Sequence, residues 1–232
     1  MNDLYDVQTI EVMKRVLKRD SNCVDVGCHK GDILKAILQV APGGTHYAFE
    51  PVPTLFDTLR VEFPSVRILN IALSNMEGEA SFQHVTSNPG YSGLKRRRYD
   101  REGETVVQIT VETAPLDSIL PPNFRLDFLK IDVEGAELQV LQGALRTILR
   151  SRPLIIFEHG LGAADYYGTR PELVFDLLNT QCELAIFIME SWLQGGKPLT
   201  RAEFVRQFDT GENYYFMAAS RAAYVTTPPL TG

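Results

Sequence analysis

Val24-Asp25-Val26-Gly27-Cys28-His29-Lys30-Gly31-Asp32 joins a short apolar run, a turn with glycines four positions apart, and the start of an amphipathic stretch. The pattern reads as strand, tight turn and helix start. Gly27 and Gly31 permit a sharp reversal and close approach of a ligand to backbone, and a helix start offers unpaired N–H groups to a carboxylate or phosphate. A plain βα turn needs glycines for shape as well, so the segment does not by itself establish a site.

The same alternation recurs outward in both directions. Residues 3–19 carry Val7, Ile10, Met13, Val16 and Leu17 at helical spacing opposite Lys14, Arg15, Lys18 and Arg19. The helix from Asp32 should stop at Pro42-Gly43-Gly44. Strands are expected at 45–50 and 66–72 with a helix at 55–62 between them. After 75 the alternation breaks. Residues 75–115 hold Gly78, Pro89-Gly90, Gly93 and Gly103 and read as a hairpin with a mobile loop centred on 87–101. Alternation resumes with strands at 126–131, 153–157, 183–189 and 214–219 and helices at 136–149 and 172–178. The chain is expected to form one domain over 1–220, followed by a loose tail at 221–232. Strands alternating with helices imply a mostly parallel sheet covered on both faces, with ligands at the carboxyl ends of its strands.

Composition restricts the classes of function. The 232 residues are 44% hydrophobic and 22% charged, the mix of a globular protein with a core. The longest apolar runs fall far short of the roughly 20 residues of a membrane span, and the amino terminus lacks the basic start and apolar stretch of a secretory signal. The net charge of −6 argues against bulk nucleic-acid binding. Three cysteines, Cys23, Cys28 and Cys182, have no paired spacing and suggest reduced thiols in the cytoplasm.

Four clusters carry chemistry, and each follows a strand. Glu50 ends the second strand, where a carboxylate can accept two hydrogen bonds from a ribose diol. Paired with Asp25 and Gly27, it indicates a nucleoside ligand. The glycine spacing then separates the candidates. A dinucleotide site uses G-x-G-x-x-G so that backbone can meet a pyrophosphate. Here His29 occupies the second glycine position, and the pattern is G-x-x-x-G. That favours S-adenosyl-L-methionine, which has no phosphate and whose ammonium can meet an acid such as Asp25. In 126–137, Asp132, Glu134 and Glu137 crowd a strand end and helix start. They can be simple caps, yet Asp132 should emerge beside the first strand. Lys130, inside an apolar strand, can pair with an acid. Glu158-His159-Gly160 follows the fifth strand, where His159 can serve as a general base.

The runs Asp25-Val26-Gly27, Phe49-Glu50-Pro51, Ala72-Leu73-Ser74, Leu116-Asp117-Ser118 and Leu129-Lys130-Ile131-Asp132-Val133-Glu134-Gly135-Ala136-Glu137 together resemble the FkbM family of S-adenosylmethionine-dependent methyltransferases. The resemblance covers roughly residues 20–160, and its most specific part is Lys130–Glu137. It implies a class I methyltransferase fold: a Rossmann-like, doubly wound seven-stranded sheet, last strand antiparallel, with the hairpin insertion between the third and fourth strands. It also implies O-methylation of a hydroxyl on a sugar, glycan or polyketide-like metabolite. Asp25, Gly27, His29, Gly31, Glu50, Ala72, Leu73, Ser74 and Asp132 are then the expected cofactor residues, with His159 or Asp132 acting on the acceptor hydroxyl. Tyr91, Ser92, Glu134 and Glu158 are the expected acceptor residues. Two positions depart from the family: His29 stands where Asn is frequent, and the insertion's serine pair appears as Tyr91-Ser92-Gly93-Leu94.

Other readings remain beside this one. Asp132, Glu134, Glu158 and His159 could hold a divalent cation, a reading the sequence does not favour. Lys95-Arg96-Arg97-Arg98 reads as a solvated run, or alternatively as a clamp for an anionic acceptor. Tyr99, Tyr166, Tyr167 and Trp192 could join Tyr91 around an acceptor or simply pack. An NAD-linked oxidoreductase and a non-catalytic S-adenosylmethionine-binding module are the rival functions.

Overall fold

Apart from the edge strand at 67–69, the strands of the main sheet are mostly apolar and buried along nearly their whole length, as strands covered on both faces must be, with Asp25, His46 and Lys130 as buried polar exceptions. The computed structural model describes residues 3–99 and 103–220; the expected tail at 221–232 and the amino-terminal Met1-Asn2 lie outside them. The elements run α1 (Asp3–Val16), β1 (Cys23–Val26), α2 (Asp32–Val40), β2 (His46–Phe49), α3 (Pro53–Glu62), β3 (Arg67–Leu69), β4 (Ile71–Leu73), β5 (Gly78–Val85), β6 (Val106–Ala114), α4 (Leu116–Ile119), β7 (Phe128–Ile131), α5 (Glu137–Gly143), α6 (Leu145–Ser151), β8 (Leu154–Glu158), α7 (Pro171–Phe175), β9 (Leu184–Phe187), α8 (Met189–Leu193), α9 (Arg201–Thr210) and β10 (Tyr215–Ser220). Seven strands form one sheet in the order β3-β2-β1-β7-β8-β10-β9. β10 alone is antiparallel, pairing with β8 on one side and β9 on the other. The expected Rossmann-like α/β architecture is the observed one.

Side-chain alternation along the strands builds two cores. Val24, Val26, Leu129 and Ile131 face one side and pack with Leu138, Leu141 and Ile148 from α5 and α6 and with Phe204 from α9. Cys23, Phe128, Ile156 and Met217 face the other and pack with Met13 of α1 and with Leu34 and Ile37 of α2. The order reverses between β1 and β7, so the crevice of such a sheet opens at their carboxyl ends.

Three local expectations are corrected. The single strand expected at 66–72 is broken at Asn70. β3 stays in the main sheet, and β4 leaves it to pair with β6 in a second sheet of order β4-β6-β5. The expected mobile loop is tied down over its described part. Gln83 and Gly93 exchange backbone hydrogen bonds of 2.8 and 3.2 Å, the Ser92 hydroxyl accepts from the Val85 N–H, and the Tyr167 hydroxyl accepts from the Lys95 N–H. The rest of that loop, residues 100–102, lies outside the described residues. The helix expected at 136–149 is interrupted at Ala144. The neighbouring Gly143 packs where an added Cβ would lie 2.0 Å from the Ser74 carbonyl oxygen, so the β4–α5 contact requires bare backbone. Gly143→Ala is therefore expected to destabilise the protein by about 1–3 kcal/mol, the usual cost of overpacking, as a lowered urea midpoint at unchanged slope.

Candidate active site

The turn after β1 closes directly onto the end of β2. The N–H groups of Gly27 and Cys28 donate to the Phe49 carbonyl at 3.0 and 3.3 Å. The His29 N–H donates to Glu50 Oε2 and the Val52 N–H to Glu50 Oε1, both at 2.9 Å. Asn70, where β3 ends, adds a 2.8 Å hydrogen bond from its Nδ2 to the Glu50 carbonyl. The Glu50 carboxylate is thus fixed in direction, with lone pairs left over for a ligand. Burial pushes it up to about 7, against the pull of the two N–H donors.

Gly27 and His29 both sit at positive φ, 73° and 48°. Asn and His are among the side chains that tolerate this region best, so the His29 departure from the family's Asn keeps the backbone the turn requires. A Cβ on Gly27 would lie 1.9 Å from the Asp132 carbonyl oxygen, which shows how tightly the turn rests on the loop after β7.

That loop carries the charges. The Lys130 ammonium, nearly buried, donates to the Gly27 carbonyl at 3.1 Å and lies 3.5 Å from Asp25 Oδ1 and 3.4 Å from Asp132 Oδ2. Burial would push Lys130 down, but Asp25 and Asp132 hold it above its ordinary range. The Tyr215 hydroxyl of β10 donates to Asp132 Oδ2 at 2.6 Å. Burial would raise Asp132, and Lys130 together with hydrogen bonds from Tyr215 and Glu158 holds it low. Glu158 goes the other way, pushed well up by burial and by the charges of Asp132 and Glu137. The two neighbouring carboxyls are thus displaced in opposite directions. Neither Asp132 nor Glu134 caps α5, whose N-cap is Ala136 without a side-chain bond; Glu137, its first residue, turns back so that Oε1 accepts from the Gly135 and Val133 N–H groups of the preceding loop at 2.9 and 3.3 Å.

These groups surround a cleft of about 960 Å³. Gly27, His29, Glu50, Ala72, Leu73 and Asp132 line it, with Tyr91, Ser92, Glu134 and Glu158 toward the insertion. Four expected residues lie elsewhere. Asp25 is fully buried beneath Lys130. Gly31 faces α3, where a Cβ would meet the Phe63 ring at 2.5 Å. Ser74 turns its carbonyl to Gly143 and its hydroxyl toward Asn75 Oδ1. His159 follows Glu158 in the chain and so points to the opposite side; its ring is fully buried and stacks on Phe208 at 4.8 Å and Phe204 at 5.9 Å. It cannot reach an acceptor in the cleft. Burial among these rings pushes it down to about 4.

Asp132, Glu134 and Glu158 each bring an oxygen within 4.8 Å of the others, the spacing of a possible cation site, without His159. Cations of the protein already engage two of them, Lys130 at Asp132 and Arg97 in an ion pair with Glu134. The run 95–98 is accordingly not simply solvated. Arg97 is half-buried over the Tyr91 ring at 4.9 Å, and both Arg97 and Arg98 line the cleft. The alternative reading of this run, as a clamp, includes Arg97; Asn70 is the residue that sequence reasoning missed.

With this geometry, comparison with known proteins is informative. The profile of the methyltransferase FkbM domain matches residues 25–183. The chain belongs to the FkbM methyltransferase family. It is 30% identical over 152 residues to "Methyltransferase sdnD" of Sordaria araneosa, covering 52% of this chain and 59% of that one. It is 26% identical over 185 residues to "2-O-methyltransferase NoeI" of Sinorhizobium fredii (strain NBRC 101917 / NGR234), covering 72% and 75%. The crystal structure of methyltransferase FkbM from Methylobacillus flagellatus KT superposes with a TM-score of 0.55 at 15% identity, over 87% of this chain and 44% of that one. The FkbM-family chain thus spans under two thirds of the length of two of these relatives. That structural likeness is one of fold.

Glu50 and His159 impose opposite pH dependences on stability. Glu50 keeps its proton to about pH 7 when folded, against 4.5 ordinarily. Its favourable contribution is complete below pH 4.5 and is lost as pH rises toward 7, by roughly 3 kcal/mol. His159 stays neutral down to about pH 4, against 6.5 ordinarily. Its contribution is complete above pH 6.5 and is lost as pH falls to 4, by a similar roughly 3 kcal/mol. Urea denaturation across this range should show Glu50→Gln removing the first slope and His159→Leu the second; unchanged slopes would contradict these burial arguments.

Proposed function

We propose that the protein is an S-adenosylmethionine-dependent O-methyltransferase whose acceptor is a hydroxyl of a sugar, glycan or polyketide-like secondary metabolite. The observation that carries the cofactor reading is Glu50, fixed by two backbone N–H groups at the rim of the crevice where the strand order reverses. A carboxylate so held can accept both hydroxyls of a ribose. Ala72 and Leu73 offer apolar contact to an adenine. The turn at Gly27–His29, with no second glycine, suits an amino-acid moiety better than a diphosphate, which weighs against the NAD-linked alternative. The relative named as a 2-O-methyltransferase supports an oxygen acceptor.

The bound cofactor would supply a methyl group on a cationic sulfur. The residues of this chain do the rest. The cleft aligns an acceptor hydroxyl behind that carbon, and alignment supplies much of the acceleration of an in-line displacement. Asp132, the lower-pKa member of the pair, would accept the hydroxyl proton as the acceptor oxygen is methylated. Lys130 and Tyr215 hold Asp132 in place for this. Tyr91, Ser92, Leu94 and Arg98 present a mixed polar and aromatic wall suited to a hydroxylated ring. No divalent cation is required by this scheme. The three cysteines, all free and buried, fit a cytoplasmic protein.

Calorimetry with S-adenosylhomocysteine tests the cofactor site. Glu50→Ala should weaken binding about 10- to 100-fold, the loss of hydrogen bonds to a charged group; affinity that survives the change counts against the ribose assignment. Methyl transfer to a panel of hydroxylated acceptors, read by mass spectrometry, tests turnover. Asp132→Asn should lower kcat by about 10²–10⁴, while His159→Leu should keep it. Cofactor binding without transfer to any acceptor would favour a binding module.

A further inference from the structure

With Asp25 under Lys130, the ammonium of a bound amino-acid moiety lacks the carboxylate that the sequence assigned to it. A different carboxylate faces that part of the cleft. Asp6, in the first turn of α1, lines it together with His29, Asp32 and Asp132. The helix lies outside the 25–183 family match and is brought there by its own chemistry. The Tyr5 ring stacks on Tyr215 at 4.8 Å and meets Tyr214 edge-on at 4.9 Å, and its hydroxyl donates to Asn213. Since Tyr215 also holds Asp132, α1 and the acidic pair share one support.

Acids crowd this corner, with the exposed Lys30 beside them. Asp6 makes no hydrogen bond or ion pair with another described residue, and burial together with Asp132 and Asp32 pushes its carboxyl up, against the pull of Lys130 and of the amino-terminal charge. Lys130 is already divided between Asp25 and Asp132. Asp32 reaches Lys35 at 3.8 Å, on the exposed side of α2. A cationic ligand group placed over the Gly27–His29 turn would therefore meet an available carboxylate on α1.

We propose that Asp6 binds the α-ammonium of the cofactor's methionine portion, which makes the amino-terminal helix part of the binding site; the proposal rests on the S-adenosylmethionine reading above. The acid and the cation would form a charge-assisted hydrogen bond across the cleft mouth, with Asp132 facing the same group from the floor.

The test compares two ligands by calorimetry. S-adenosylhomocysteine carries the ammonium; 5′-methylthioadenosine keeps the adenine and ribose and lacks it. Asp6→Asn should weaken S-adenosylhomocysteine about 10- to 100-fold and leave 5′-methylthioadenosine unchanged, and Asp6→Glu should recover part of the difference. Glu50→Ala should weaken both ligands alike. If Asp6→Asn weakens both equally, the residue only supports the fold and the proposal is overturned. It is overturned equally if neither ligand is affected. Should the wild-type protein bind neither ligand, the cofactor reading itself fails, an outcome separate from the other two.

Discussion

The Lys130 ammonium is the interaction on which the site depends. It lies between the two central strands where the sheet changes direction and touches three groups at once: the Gly27 carbonyl, Asp25 and Asp132. A buried ammonium without partners costs several kcal/mol, so the arrangement is cooperative. Asp25 compensates the charge from below, the turn supplies a carbonyl, and Asp132 is drawn to the edge of the cleft and kept ionised. What the sequence offers as a cofactor contact, Asp25, is in the structure a counter-ion one layer down. Its effect on a ligand passes through Lys130 and Asp132.

Glu50 and the Asp132–Glu158 pair place two different electrostatic problems at one crevice. Glu50 is raised because burial outweighs two N–H donors. Burial would raise both Asp132 and Glu158; Lys130 and Tyr215 hold Asp132 low, whereas the charges of Asp132 and Glu137 add to the rise of Glu158. The insertion closes the opposite wall. Arg97 links it to Glu134, and the Tyr167 hydroxyl holds the Lys95 N–H. The insertion wall and the acidic floor of the cleft are therefore built from distant parts of the chain and joined by a few polar contacts.

Local signals made most of the sheet legible. The glycine turn, the strand-end Glu50 and the 126–137 run each state their geometry within a few residues, and the structure puts them in one cleft. What could not be read depended on partners far away in sequence. His159 looked like a base because a histidine after a strand usually emerges near the ligand. Its actual surroundings come from Phe204 and Phe208 of α9, a helix whose start is marked by the Thr200–Glu203 capping box. That pairing of Thr and Glu three apart was present in the sequence and went unread. The split of β3 from β4 at Asn70 had no comparable local mark: the residues on both sides favour strand, and only the competing β6 edge draws the second half away. Gly31 and Ser74 failed as ligand contacts for a related reason, since a turn's sequence does not reveal which of its residues face a neighbouring helix.

The antiparallel strand has a consequence for the order of assembly. β9 is synthesised before β10, yet among the described residues β10 is its sole hydrogen-bonded neighbour, and β10 must slot between β9 and β8. The same strand carries Tyr215, which completes the hydrogen bonding of Asp132. The five strands up to β8 can pair without β10, whereas β9 and the Tyr215 bond to Asp132 join the sheet only once β10 has been made and inserted.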